Sequence, residues 1–560
     1  MKWRMYSFLR AITRKASQEY IFLMWLFLFA CACSLAALLP FILYVSQSLF
    51  AQFFFHSILF NLTLIIPSLF LGSFRNKYII IIFIILIITG VIYSSHIYLY
   101  KGVISPSSFY AIFETNIHEA FEYLKSIVTY KLVIIMFISW CAPIFPLYKI
   151  LKSPGLKRSY ALILSIILVF VSTLALIRGP ERILARYSAS SAFVAWRQYV
   201  AYMEQMKHIA SGLNELPLNI VRQPIAGGGG ILGIIIVGES ASKRHMSVYG
   251  YYRDTMPYTG ALMRKWNDRL FAFNDVLSPH GTTSPSIGAM FMWRDERNRE
   301  GGCFIVDIFK QAGLYTEWLS NQPILSRYDT NTSLIGRNCD RSIFLSKDPG
   351  VGVLPRSAYY DEILLPYVQE SLEEADSGKL IVVHIMGSHT EYARRYPGNF
   401  NLFTDTPIKT GRILNANQVR TINEYDNSIA YTDYILAEII ALVEKDKRPA
   451  FVLYVSDHGE NVYDIHGGLG HGESPKRVYF EIPMLLWLSS EYRATFPDFA
   501  AYISTCLNRP FQTNNLLFML CDLLKISFDR FPGQKSPLNP LFVPEKRIIA
   551  GQDYDSLPSD

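Results

Sequence analysis

Apolar and polar positions follow two different rhythms along this chain. Residues 20–74 contain no Asp, Glu, Lys or Arg, an uncharged run of roughly 55 positions where one helical crossing of a bilayer needs about 20. Pro40 and the polar group Ser46, Gln47, Ser48 and Gln52 divide that run into two helices. Further uncharged runs cover residues 78–100, 132–148 and 159–177. The pattern predicts an α-helical membrane domain of five transmembrane helices over residues 1–178. A cleaved leader is the weaker reading, because further spans follow the first.

After Arg178 the rhythm changes. Phe193, Trp196, Val200 and Met203 recur at helical spacing with Arg197, Glu204 and Lys207 between them. This predicts an amphipathic helix lying on the bilayer surface or packed on the next domain. Pro224 and the glycine run 227–230 mark a flexible boundary, so residues 179–230 read as a bridging helix and linker. Short β-rich apolar runs then alternate with helical patterns, at residues 231–237, 380–386, 451–455 and 482–488. Continuous apolar strands separated by helices predict a mostly parallel central sheet covered on both faces, in an α/β domain over 231–560.

Charge fixes the orientation. Lys2, Arg4, Arg10, Arg14 and Lys15 precede the first span, Arg75 and Lys77 follow the second, and Lys149, Lys152, Lys157 and Arg158 follow the fourth. Basic loops stay cytoplasmic, so an odd number of spans leaves everything after Arg178 outside. Only 18% of residues are charged, against about 25% in a soluble chain. The net charge of +7 comes with no dense Lys/Arg block, which argues against nucleic acid as a partner. Seven cysteines in 560 residues exclude a disulfide-built scaffold.

Candidate chemistry gathers after the predicted strands, where ligands bind in parallel α/β sheets. Gly238-Glu239-Ser240 follows the first run, Gly387-Ser388-His389 the second and Asp457-His458-Gly459 the third. Seven of the 11 histidines lie beyond the linker. Glu239, Asp457 and His458 offer mixed oxygen and nitrogen ligands suited to Zn²⁺, with a fourth position left for chemistry. A protein hydroxyl in that position loses its proton near neutral pH and becomes a nucleophile. Thr282-Thr283-Ser284 opens a predicted helix N-terminus, where amides favour a phosphate.

These segments resemble the phosphoethanolamine transferases of Gram-negative inner membranes, relatives of sulfatases and alkaline phosphatases. The group includes enzymes of polymyxin and colistin resistance. Residues 235–242, Tyr249-Gly250-Tyr251, residues 253–257, Trp318-Leu319-Ser320-Asn321-Gln322, Tyr425-Asp426-Asn427-Ser428-Ile429 and Ser456-Asp457-His458-Gly459-Glu460 carry the resemblance. It implies a multi-pass inner-membrane protein with a periplasmic, sulfatase-like catalytic domain. It further implies zinc held by Glu239, Thr283, Asp457 and His458, with Thr283 as the nucleophile and Thr282 as its rival. Thr283-Ser284-Pro285-Ser286 has the frame of the sulfatase motif with Thr in place of Cys. His389, Asn321 and either His471 or His466 fall on positions near the transferred group, with His389 and His471 candidates for a second zinc. The implied reaction moves phosphoethanolamine from phosphatidylethanolamine to lipid A, a lipopolysaccharide core sugar or another periplasmic glycan, through a phosphorylated threonine. A phosphoglycerol transferase or a phosphodiesterase on the same framework is the alternative. The cysteines depart from the resistance-type pattern, and Cys303–Cys339 is the preferred pairing among the exported ones.

Overall fold

The computed structural model describes residues 2–44, 47–100, 104, 106, 108–109, 130–177, 183–184, 187–212, 219–225, 229–294, 302–322, 331–345, 360–373, 378–404, 408–409, 412–465, 468–529 and 531–558. Two units divide the chain, Met1–Tyr202 and Met203–Asp560.

In the first unit the uncharged runs are helices: α1 (Lys2–Tyr44), α2 (Gln47–Ile65), α3 (Arg75–Tyr100), α4 (Tyr130–Cys141), α5 (Ile144–Lys152) and α6 (Arg158–Ile177). Among the described residues four stretches are long and apolar enough to cross a membrane: Gln18–Pro40, Phe50–Leu69, Gly72–Tyr98 and Arg158–Ile177. The run expected to span at 132–148 is broken into α4 and α5, with Pro143 at the start of α5. Proline has no N–H for the helical ladder and clashes with the preceding turn, so the helix interrupts there. Phe137, Ile166 and Phe170 are more than half exposed. A side-chain surface this apolar suits lipid rather than water. Inside, Asn61 Nδ2 donates to Ser34 Oγ at 2.9 Å and Tyr187 OH donates to Asn61 Oδ1 at 2.8 Å, which satisfies polar groups buried among the helices.

The amphipathic segment forms α7 (Ser188–Gly212). Its buried stripe contains Ala195, Tyr199, Met203 and Met206, while Phe193 and Trp196 are exposed. Of the expected stripe Met203 is buried, while Phe193 and Trp196 give way to Ser191 and Ala195, the latter packed with Leu38, Phe53, Tyr93 and Ile97.

The second unit is built on a seven-stranded sheet. Its strands are β1 (Leu232–Gly238), β2 (Leu270–Phe273), β3 (Tyr315–Ser320), β4 (Arg341–Phe344), β5 (Lys379–His384), β6 (Ala450–Ser456) and β7 (Met484–Leu488), in the spatial order β2-β7-β6-β1-β5-β3-β4. The contacts β6–β1, β1–β5, β5–β3 and β3–β4 are parallel. β7 runs antiparallel to both of its neighbours, so the fourth apolar run belongs to the sheet but not to its parallel direction. All residues of β1, β5 and β6 are buried, as unbroken apolar strands covered on both faces must be. Helix α9 (Ala416–Val443) supplies much of one covering layer, packing on Ile234, Ile236, Leu319 and Ile381, while α8 (Thr283–Phe291) covers the other face, where Phe291 meets Trp318 of β3. Asn415 and Gln418 close a reciprocal capping box at the start of α9, and Ile422, Ile429, Leu436 and Ile440 pack into the core from it. Burying each such side chain contributes about 1.5–3 kcal/mol.

Candidate active site

The ladder between β1 and β6 sets the site's level. Gly238 and Ser456 are paired in register, so Glu239 and Asp457 leave the sheet side by side. Asp457 N donates to Gly238 O at 3.1 Å and prolongs the ladder. Ser240 turns into the left-handed region at φ 54°, a strained conformation that surrounding bonds must hold. That turn aims Ser240 N at Asp457 Oδ1 (3.0 Å) and Ser240 Oγ at Glu239 Oε1 (2.8 Å). His458 is oriented by its Nδ1 contact with Gly459 O at 3.0 Å, which turns Nε2 the other way.

Thr283 opens α8 and its hydroxyl meets this group. Thr283 Oγ1 lies 3.2 Å from both carboxylate oxygens of Glu239 and 3.2 Å from His458 Nε2. Thr282 lies elsewhere, with its hydroxyl donating to Glu473 Oε1 at 3.2 Å. Ligand atoms of Glu239, Asp457 and His458 all lie within 4.8 Å of one another, and all three residues are fully buried.

The electrostatics of the trio are unbalanced. Burial and the Glu239 carboxylate push Asp457 up to about 8. Burial would raise Glu239 too, but His458, the charge of His389 and a hydrogen bond from Gln322 hold it well below the usual carboxylate range. His458 is raised to about 10 against its burial, by Asp457 and Glu239. Asp457 Oδ2 is buried and accepts no hydrogen bond among the described residues, although it lies 3.3 Å from His458 Nε2. Two crowded carboxylates, one imidazole and an orphaned oxygen fit a divalent cation, which would satisfy the lone pair and cancel the repulsion.

The remaining expected residues surround the trio at different depths. His389 is half-buried, with Arg395 Nη2 3.4 Å from its Nδ1. His471 Nδ1 bonds Glu460 Oε2 at 2.6 Å, and its ring centroid lies 4.1 Å from that of His458. His458, Glu460 and His471 form a second group with metal-ligating capacity. Asn321 is buried and donates to Asp361 Oδ1 at 2.9 Å, and Asp361 also accepts from Met386 N and Gly387 N. Its amide therefore supports the turn that carries His389. His466 lies outside the described residues. Cys303 and Cys339 are buried thiols with no disulfide between them.

Gln322, Ser240 and Glu460 join the site through contacts that the sequence pattern does not single out. Gln322 Nε2 donates to Glu239 Oε2 at 2.9 Å. The signal was adjacent: Gln322 follows Asn321 past the end of β3, where one step along the chain changes which neighbour a side chain reaches. Glu460 stands two residues after His458 in the same run, and only the fold brings His471 to it.

Residues 232–515 match the Sulfatase family, and the chain belongs to it. Its second unit is a periplasmic-type sulfatase/alkaline-phosphatase domain homologous to bacterial inner-membrane phosphoethanolamine transferases, joined here to a multi-pass membrane region. Phosphoethanolamine transferase EptC of Escherichia coli K12 is 29% identical over 492 residues, covering 82% of this chain and 83% of that protein. The crystal structure of the C-terminal periplasmic domain of E. coli EptC in complex with Zn is 30% identical. It aligns with a TM-score of 0.56 over 61% of this chain and 98% of that one. Lipooligosaccharide phosphoethanolamine transferase A of Neisseria meningitidis, an integral membrane protein, shares the fold with a TM-score of 0.60 at 18% identity. That match covers 95% of this chain and 98% of the other.

Proposed function

We propose that this chain transfers phosphoethanolamine from phosphatidylethanolamine to a lipopolysaccharide acceptor, lipid A or a core sugar, through a covalent phosphothreonine at Thr283. The observation that carries the reading is the meeting of Thr283 Oγ1 with Glu239 and His458 at 3.2 Å. The names of the homologous transferases, and the zinc named with the EptC domain, support the donor group and the metal.

Glu239, Asp457, His458 and Thr283 would hold the Zn²⁺. When bound, it supplies positive charge that favours the deprotonated Thr283 hydroxyl and offsets charge on the phosphoryl oxygens. Thr283 Oγ1 forms a bond to phosphorus as the bond to the diacylglycerol oxygen breaks, and diacylglycerol leaves as the protonated alcohol. An acceptor oxygen then attacks the phosphothreonine, its proton is released, and the Thr283 hydroxyl is restored. His389 and His471 orient the phosphoryl group and move the protons of these steps. Asn321 acts on the same group through the turn that it supports.

The α4–α5 pair serves as the remaining crossing, for five in all, with residues 179–230 as the bridge. Membrane anchoring presents the site to a two-chain lipid that need not leave the bilayer. Mass spectrometry of lipid A and core oligosaccharide from cells with and without the protein tests the reading. A phosphoethanolamine substituent present in cells with the protein and absent from cells without it supports the reading. Unchanged lipopolysaccharide, or a phosphoglycerol substituent instead, overturns it.

A further inference from the structure

We infer that Glu473 is a positioning residue that aims the Thr283 hydroxyl, an inference that rests on the reading of Thr283 as the nucleophile. One oxygen, Glu473 Oε1, accepts from Gly281 N at 3.1 Å and from Thr282 Oγ1 at 3.2 Å, and His280 Nδ1 lies 3.5 Å from it. Thr282 is the N-cap of α8, yet its hydroxyl makes no capping bond to the helix. A threonine in that place ordinarily caps, so Glu473 competes with the helix for this hydroxyl and wins it. Gly281 meets the same segment through its backbone, since a Cβ there would stand 2.2 Å from Gly472 O.

Independently of Glu473, the hydroxyls of Ser278 and Ser286 donate to His280 O at 2.7 and 2.9 Å, and Asn331 Nδ2 donates to Ser284 O at 2.7 Å. The residues just before and after Thr283 are thereby held. Glu473 differs from these serine and asparagine anchors in its origin. It stands two residues after His471, whose ring lies against that of His458. The segment 470–473 thus touches a candidate metal ligand with one side chain and the nucleophile loop with another.

The test uses the full-length, zinc-loaded protein with phosphatidylethanolamine vesicles, comparing wild type, Glu473→Ala and Glu473→Gln. Glutamine keeps an acceptor oxygen for both donors and alanine removes it. Glu473→Ala is expected to slow covalent adduct formation at saturating donor by about tenfold, with KM and zinc content unchanged, and Glu473→Gln to restore most of the rate. Amide hydrogen exchange over residues 280–284 provides an activity-independent readout and is expected to quicken by about tenfold in the alanine variant alone. Unchanged exchange in Glu473→Ala overturns the proposal, as does zinc lost in parallel with rate, or a glutamine variant no better than alanine. If wild type forms no adduct, the transferase reading fails by itself, and the exchange measurement still decides whether Glu473 holds the loop.

Discussion

Thr283 brings one hydroxyl to a fully buried acid and imidazole, and its removal separates chemistry from metal holding. Thr283→Ala is expected to abolish transfer while leaving zinc content and unfolding temperature close to wild type, since three ligands remain. Gln322→Ala frees one oxygen of Glu239 and is expected to weaken metal affinity by about 10–100-fold, measured against a competing chelator. Protonation works on the same trio. A cation requires Asp457 ionised and His458 neutral, yet without an ion these groups stand at about 8 and about 10. Protons therefore compete with the cation, and apparent affinity should rise with pH from about 6 up to about 10. Affinity that stays flat over that range would contradict the ligand assignment.

At the scale of elements, strand ends and the turns behind them decide where ligands point. Gly459 follows His458, donates to Tyr479 O at 2.9 Å, and would place a Cβ 2.2 Å from Val478 O. Gly459→Ala must therefore shift the ligand turn, and should cost about 1–3 kcal/mol of stability together with metal affinity. His245 stabilises a second junction, with Nδ1 2.6 Å from Asp426 on α9 and Nε2 3.2 Å from Asp464. Burial would lower it, but the charges of Asp464 and Asp426 raise it from 6.5 to about 10. Its stabilisation is fully present below about 6.5 and fades as pH rises through about 10. The difference in unfolding free energy between wild type and His245→Gln should shrink across that window.

The strands and ligand-bearing turns were legible because unbroken apolar runs ended in Gly-Glu, Gly-Ser-His and Asp-His, and period and chemistry pointed to one sheet edge. The reversal of β7 was not legible, since a short apolar strand reads the same in either direction. The break at Pro143 was visible as a proline, but whether it splits a helix depends on packing that the sequence does not print. Glu473 and Gln322 reach the site only through the fold, across long sequence separations.

For the whole molecule, the proposed function gives the membrane unit a task, to hold the site beside a donor that lies in a bilayer. A soluble fragment covering residues 219–560 should bind zinc like the full chain, yet use vesicle phosphatidylethanolamine far more slowly than a short-chain analogue dispersed in water. Equal rates on both would remove the anchor's role in donor access. The central claim, that Thr283 becomes covalently loaded, is tested most directly by incubating the full-length enzyme with phosphatidylethanolamine and mapping its peptides by mass spectrometry. The account predicts phosphoethanolamine on the peptide containing Thr283, absent from Thr283→Ala. The same adduct on another residue, or retained in the alanine variant, would contradict it.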